Sequence, residues 1–289
     1  KYFIWVKTYR CAKCGRDYDL FPGYLLAQNR RHPKYVIICA KCGWLNESKS
    51  RHVLGQCDVC HQPLKLVGPA HNNKCTCPHC GTTNMYPAAA QGVPRHRMIA
   101  IEYYCPICKP QHQGRFFKKP DEEDLKRFAE AAAAWLSIRP SYVPDDTIPS
   151  GDESDRLHRW GYRYYREMFN ERQLLGLELS CRLITQLNDQ RIRDALATNL
   201  SDLLRYQNML CRYDTMALKS LDIFSIHGFP VSLIQCESNL LGIRGEDGRS
   251  IGSGGWSNII DKYALAKEYC DNPFETRDLN GRKVRVSTP

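Results

Sequence analysis

Cysteine recurs in five Cys-x-x-Cys pairs within the first 108 residues: Cys11/Cys14, Cys39/Cys42, Cys57/Cys60, Cys77/Cys80 and Cys105/Cys108. Two thiolates at that spacing grip one metal ion from a single tight turn, so the pattern predicts structural zinc. Glycine follows three pairs directly, at Gly15, Gly43 and Gly81, where such a turn often needs a positive φ. Disulfides fit poorly. The total of 15 cysteines is odd, Cys75, Cys181, Cys211, Cys236 and Cys270 are scattered, and no basic-then-apolar secretory signal opens the chain. A redox Cys-x-x-Cys would need a βαβ setting, which the flanking sequence lacks. The expected location is the cytoplasm.

Tetrahedral zinc takes four ligands, so five pairs fill two sites and leave one pair over. Cys57/Cys60 and Cys77/Cys80 enclose 16 residues, a common ribbon spacing. Cys11/Cys14 to Cys39/Cys42 and Cys77/Cys80 to Cys105/Cys108 each enclose 24, and each stretch ends in a strand-like run (35–38 and 99–104). The two schemes compete for Cys77/Cys80 and both stay open. The leftover pair would need His61, His71, His96, His112, Cys75 or another chain.

Charge divides the 289 residues. Residues 1–120 hold 19 Lys+Arg against 5 Asp+Glu, a net of +14, and residues 121–289 hold 22 against 26, a net of −4. Two four-thiolate zinc sites would lower the first half to about +10. A surplus confined to the cysteine-rich half points to a polyanionic partner, with DNA foremost. The candidate phosphate contacts are Arg30, Arg31 and Lys34 beside His32, then Arg95 and Arg97 beside His96. No run of 18 apolar residues is present, so no membrane span is expected.

Helical patterning begins after Pro120, with acids at the start and alanines from Ala131 to Ala134. Residues 140–155 read as a proline-rich linker. Read as one helix, 155–169 lines up Leu157, Trp160, Tyr164 and Met168 beside a cationic stripe of Arg156, Arg159, Arg163 and Arg166, a second candidate DNA contact. Asn170 and Gln173 then form a capping box for a helix with leucines on nearly all sides, expected to be buried. Further helices are expected over 189–213 and 257–270, after a glycine cluster at 252–255 that reads as a flexible turn. The expected fold class is α+β: tandem small β zinc ribbons (1–119), a helix and linker (120–154), and a mainly α-helical domain (155–289).

The knuckle array, the run Tyr103-Tyr104-Cys105-Pro106-Ile107-Cys108, the run Asp155-Arg156-Leu157-His158-Arg159-Trp160-Gly161-Tyr162 and the run Phe169-Asn170-Glu171-Arg172-Gln173-Leu174-Leu175 together resemble zinc-ribbon-containing adenine-specific DNA methylases. That resemblance implies an S-adenosylmethionine-dependent enzyme of bacterial defence or restriction loci. Such enzymes carry a glycine-rich cofactor motif upstream and an Asp-Pro-Pro-Tyr catalytic motif downstream. Neither stands here, and Asn272-Pro273-Phe274 lacks the second proline. Base flipping and methyl transfer need that loop. The resemblance therefore implies the region between the two motifs, a target-recognition segment cut from a longer enzyme that begins here at Lys1, inactive alone. The alternatives are a zinc-ribbon adaptor for a protein partner and one subunit of a split methyltransferase whose catalytic core lies elsewhere.

Overall fold

The computed structural model describes residues 1–105, 107–108, 111–279 and 281–287, so Pro106 of the knuckle motif lies outside the described residues. The fold is mixed α+β. In chain order the strands of the first half are β1 (Tyr2–Arg10), β2 (Asp17–Asp19), β3 (Leu25–Ala27), β4 (Tyr35–Ile38), β5 (Leu45–Ser48), β6 (Ala70–His71), β7 (Lys74–Thr76), β8 (Thr83–Met85), β9 (His96–Tyr104) and β10 (Arg115–Lys118). Four helices follow, α1 (Glu122–Ser137), α2 (Asp155–Arg159), α3 (Glu171–Thr185) and α4 (Gln190–Leu204). Then come β11 (Arg212–Asp214), β12 (Lys219–Leu221), β13 (Ile234–Ser238), α5 (Trp256–Asp271), β14 (Phe274–Leu279) and β15 (Arg282–Ser287).

β1 organises the molecule. Its run of aromatic and β-branched residues suits a strand covered on both faces. β9 and β13 flank it, β10 lies outside β9, and β2 pairs with its far end, all antiparallel. Alternation sends Ile4 and Val6 into one core with Ile37, Ile38 and Ile99, while Trp5 packs with Met98, Ile101 and Met209 on the other side. The sheet β3-β4-β5 and the sheet β6-β7-β8 each carry cysteine pairs at their ends.

The second half differs from the helical reading in four ways, the first being that the helix expected over 189–213 ends at Leu204 and gives way to β11 at Arg212. β13 joins the sheet of β1, and β11–β12 and β14–β15 are hairpins, so this half is not purely helical. The helix expected over 155–169 stops after Arg159, because Gly161 sits at φ +88 and a Cβ there would meet the Gly92 backbone at 2.4 Å. A short 3-10 turn covers Tyr165–Met168 instead, so the cationic and aromatic stripes do not share one helix. α3 begins with the expected Asn170–Gln173 capping box, but Leu179 and Leu183 are 46% and 65% exposed, so only its first half is buried.

Two buried carboxylates tie the halves together. Glu237 on β13 accepts from the Trp5 indole at 3.0 Å, from Asn170 Nδ2 at 2.9 Å and from Arg172 Nε at 2.7 Å. Glu102 on β9 accepts from Arg115 at 2.5 Å and from the Tyr213 hydroxyl at 2.6 Å. Each buried charge is therefore paired and bonded, as its desolvation demands. Asn170 and Arg172, conspicuous in the sequence, have structural work here. The 252–255 glycine cluster is packed rather than flexible: Tyr2 Oη accepts from the Ser253 amide at 2.7 Å, and Gln207 donates to Gly254 O at 2.6 Å.

Candidate metal centres and cationic surface

Four of the five cysteine pairs adopt one turn. The amide of the residue after the second cysteine bonds back to the first cysteine's carbonyl: Gly15 to Cys11, Gly43 to Cys39, His61 to Cys57, Gly81 to Cys77. That residue has φ between +54 and +72 in every case. Three are glycine. His61 fills the same position at φ +54, so it is a turn residue and its ring completes no cysteine site.

The pairs combine as neither spacing scheme expected. Cys11, Cys14, Cys77 and Cys80 form one quartet, and Cys39, Cys42, Cys57 and Cys60 form the other, each with its sulfurs within 4.8 Å of one another. The contiguous quartet is thus nested inside the split one. Across the split quartet the sulfurs of Cys11 and Cys80 are 3.6 Å apart and those of Cys14 and Cys77 are 3.8 Å apart. In the contiguous quartet Cys39–Cys60 and Cys42–Cys57 are both 3.5 Å. Thiolates at about 2.3 Å on a tetrahedral zinc stand about 3.8 Å apart, whereas a disulfide requires about 2.05 Å. The donor set fits zinc.

Each quartet has a matching asparagine brace that hydrophobic periodicity did not reveal. Asn46 accepts from the Asp58 amide at 2.9 Å and donates to Trp44 O at 3.0 Å. Asn84 accepts from the Ala12 amide at 3.0 Å and donates to Thr82 O at 3.2 Å. Both stand in Cys-Gly-x-x-Asn (42–46 and 80–84) and reach the residue after the first cysteine of the opposite knuckle. That repeated pentapeptide was the available signal. Without metal the thiols do not ionise alike. The Cys14 amide, against burial, draws Cys11 down to about 6, while burial and then the neighbouring thiols push Cys42 up to about 12. Zinc binding must therefore expel protons.

Cys105 and Cys108 stand apart, with sulfurs 3.1 Å from each other and the Cys105 amide bonded to Gly114 O. Among the described residues, no further His, Cys, Asp or Glu joins them as a third ligand. Of the completing groups considered, His71 is exposed, Cys75 is buried in the core beside Tyr18 and Cys77, and His112 contacts Glu47. His96 faces Lys7 at 3.1 Å, and burial, then the Lys7 charge, hold it well below the usual imidazole range.

The nine cations singled out from the sequence divide by partner. Lys34 pairs with Glu47 at 2.6 Å, Arg97 with Asp19 at 2.5 Å, Arg95 with Asp17 at 3.6 Å, and Arg166 with Asp145. Arg156 donates to the Phe229 carbonyl at 3.4 Å. Arg30, Arg31, Arg159 and Arg163 are exposed, and their side chains have no hydrogen bond or ion pair among the described residues. Trp160 and Tyr162 lie in the core beneath the split quartet with Cys11, Cys77 and Tyr86, so neither is available for base stacking.

Comparison with known families, curated proteins and solved structures returns no match for this chain. What is established is an α+β protein with two four-cysteine clusters suited to zinc, in which no helix among the described residues is long and apolar enough to cross a membrane.

Proposed function

We propose that this chain is the zinc-binding, DNA-engaging region of an S-adenosylmethionine-dependent adenine-specific DNA methyltransferase, acting in target recognition. The observation that carries the reading is cationic surface without internal partners. Arg30 and Arg31 have no side-chain partner among the described residues, and Lys13 and Lys41 occupy the same exposed place in two identical knuckles, Cys11-Ala12-Lys13-Cys14-Gly15 and Cys39-Ala40-Lys41-Cys42-Gly43. Cations carried on fixed turns track phosphates with less backbone ordering than cations on a flexible loop. The cofactor and catalytic motifs would come from another segment or subunit, and the chain alone would transfer no methyl group.

Duplex-DNA binding of the zinc-loaded chain across a salt series tests this. Each phosphate contact adds about −0.9 to the log–log slope, so joint Arg30→Ala and Arg31→Ala substitution should flatten it by about 2 units. Absence of binding at low salt would sink the reading. One observation favours a second role beside it. The exposed Leu179 and Leu183 on α3 offer an apolar face suited to a protein partner, such as the catalytic core. Binding to such a partner would be insensitive to salt.

A further inference from the structure

We propose that His32, Glu47 and His112 form a third divalent-cation site, separate from the cysteine quartets and suited to zinc or a similar first-row ion. His32 lies in the loop before β4, Glu47 on β5, and His112 in the β9–β10 loop. Their nearest nitrogen and oxygen atoms all fall within 4.8 Å of one another.

His32 and Glu47 are oriented for a metal. His32 Nδ1 lies 2.8 Å from the Lys34 carbonyl, which only a protonated nitrogen can donate to. The Lys34 amide lies farther from the same nitrogen, at 3.3 Å, so the shorter carbonyl contact favours the proton on Nδ1, with Nε2 facing Glu47 Oε1 at 3.7 Å. Ligands at about 2.1 Å on a tetrahedral ion stand about 3.4 Å apart. His112 Nε2 meets the same oxygen at 2.8 Å, and Lys34 Nζ steadies the other carboxylate oxygen at 2.6 Å.

The backbone supports the same reading. His112 and Gln113 are held at φ +52 and +54, a left-handed conformation that these residues adopt at a cost. The His112 ring sits 5.0 Å from His32 and 5.1 Å from Phe116, an aromatic wall on the site. Zinc on Nε2 places the His112 proton on Nδ1, which is buried without an acceptor among the described residues, so this ligand is the weakest of the three. Two imidazoles and one carboxylate favour zinc over calcium or magnesium and leave one position to water. The ion would clasp the β9–β10 loop, which carries Cys105 and Cys108, onto the contiguous cysteine module.

The test is metal content of the full chain after equilibrium dialysis against zinc. The two quartets and this cluster predict three ions per chain, falling by one in Glu47→Gln and in His112→Gln, while Cys105→Ser retains all three. Cobalt loading serves as the control, because thiolate-to-cobalt absorption from the intact quartets should be unchanged. Should Glu47→Gln lose that absorption through misfolding, His112→Gln on its surface loop decides. Two ions in the unaltered chain, or a full complement in both variants, would overturn the proposal. So would loss of the third ion in Cys105→Ser but not in Glu47→Gln. The inference does not rest on DNA binding.

Discussion

The two cysteine quartets share ligands, turn and asparagine brace, yet one is local and the other is not. Cys42 and Cys57 are 15 residues apart in the chain, whereas Cys14 and Cys77 are 63 apart. Closing the longer loop costs about 1.3 kcal/mol more in chain entropy. The split quartet meets that cost through the sheet. β1 ends at Arg10, next to Cys11, β9 pairs along β1, and Tyr9, Tyr18, Cys75 and Cys77 pack as one core beneath the knuckles. Identical chemistry therefore plays two roles: one site pins a small module, and the other fastens the rim of the central sheet.

Metal removal should produce the largest effect on both. Structural zinc contributes roughly 10 kcal/mol or more per site, so chelation should abolish near-ultraviolet circular dichroism from the first half. A chelated chain with an unchanged spectrum would refute structural zinc. Single-ligand changes should then separate the sites. Cys60→Ser should open protease cleavage only around 39–62. Cys80→Ser should expose both 11–16 and 75–84, because it frees the end of β1 as well. Identical digestion patterns would erase the distinction between local and split quartets.

The asparagine braces give a finer comparison. Removing either loses a partly buried hydrogen bond, at about 0.5–1.5 kcal/mol. Asn84→Ala, which crosses the split, should weaken zinc retention at its site more than Asn46→Ala does within the contiguous module, as read by release to a chromophoric chelator.

Lys7, on β1 near the split quartet, sets a pH dependence. Burial lowers its ammonium from 10.5 to about 7, with only His96 Nε2 within hydrogen-bonding distance among the described residues. Between those values the unfolded chain holds a proton that the folded chain has released. Stability therefore rises with pH across that window, by up to about 1.4 kcal/mol per unit. Lys7→Met should remove that part of the slope in denaturant titrations at pH 7 and 9, and equal slopes would contradict a buried neutral amine. The smallest effect is expected at the knuckle turn. His61→Gly should stabilise the contiguous module by about 1 kcal/mol, and Gly15→Ala should destabilise the split one by a similar amount, because both positions carry positive φ.

Much of the local structure was legible in advance. The strands over 35–38 and 99–104, the helix after Pro120, the Asn170–Gln173 capping box and the helix near 257–270 all stand where the pattern put them. Each depends on residues within a few positions of one another. Patterning failed where distant contacts decide. Gly161 ends α2 because the Gly92 backbone crosses it, and half of α3 is exposed although its leucines run all round. Asn46, Asn84, Glu47 and His32 gave no periodic signal, since a brace or a ligand is one residue aimed at one atom.

The sequence by itself determined the chemistry of the turns: thiolate pairs, the residue of positive φ after them, and a basic surplus in the same half. The turns are written within five or six residues and the surplus is a matter of composition, so spacing and counting reveal them. Only the tertiary structure decided which pairs come together in a quartet and which cations lack a partner among the described residues. Strand pairing between β1 and β9 and acids such as Asp17, Asp19 and Glu47 settle both, across separations of tens of residues. Sequence distance is a poor guide there because loop-closure entropy grows only logarithmically with length, so packing readily overrides it.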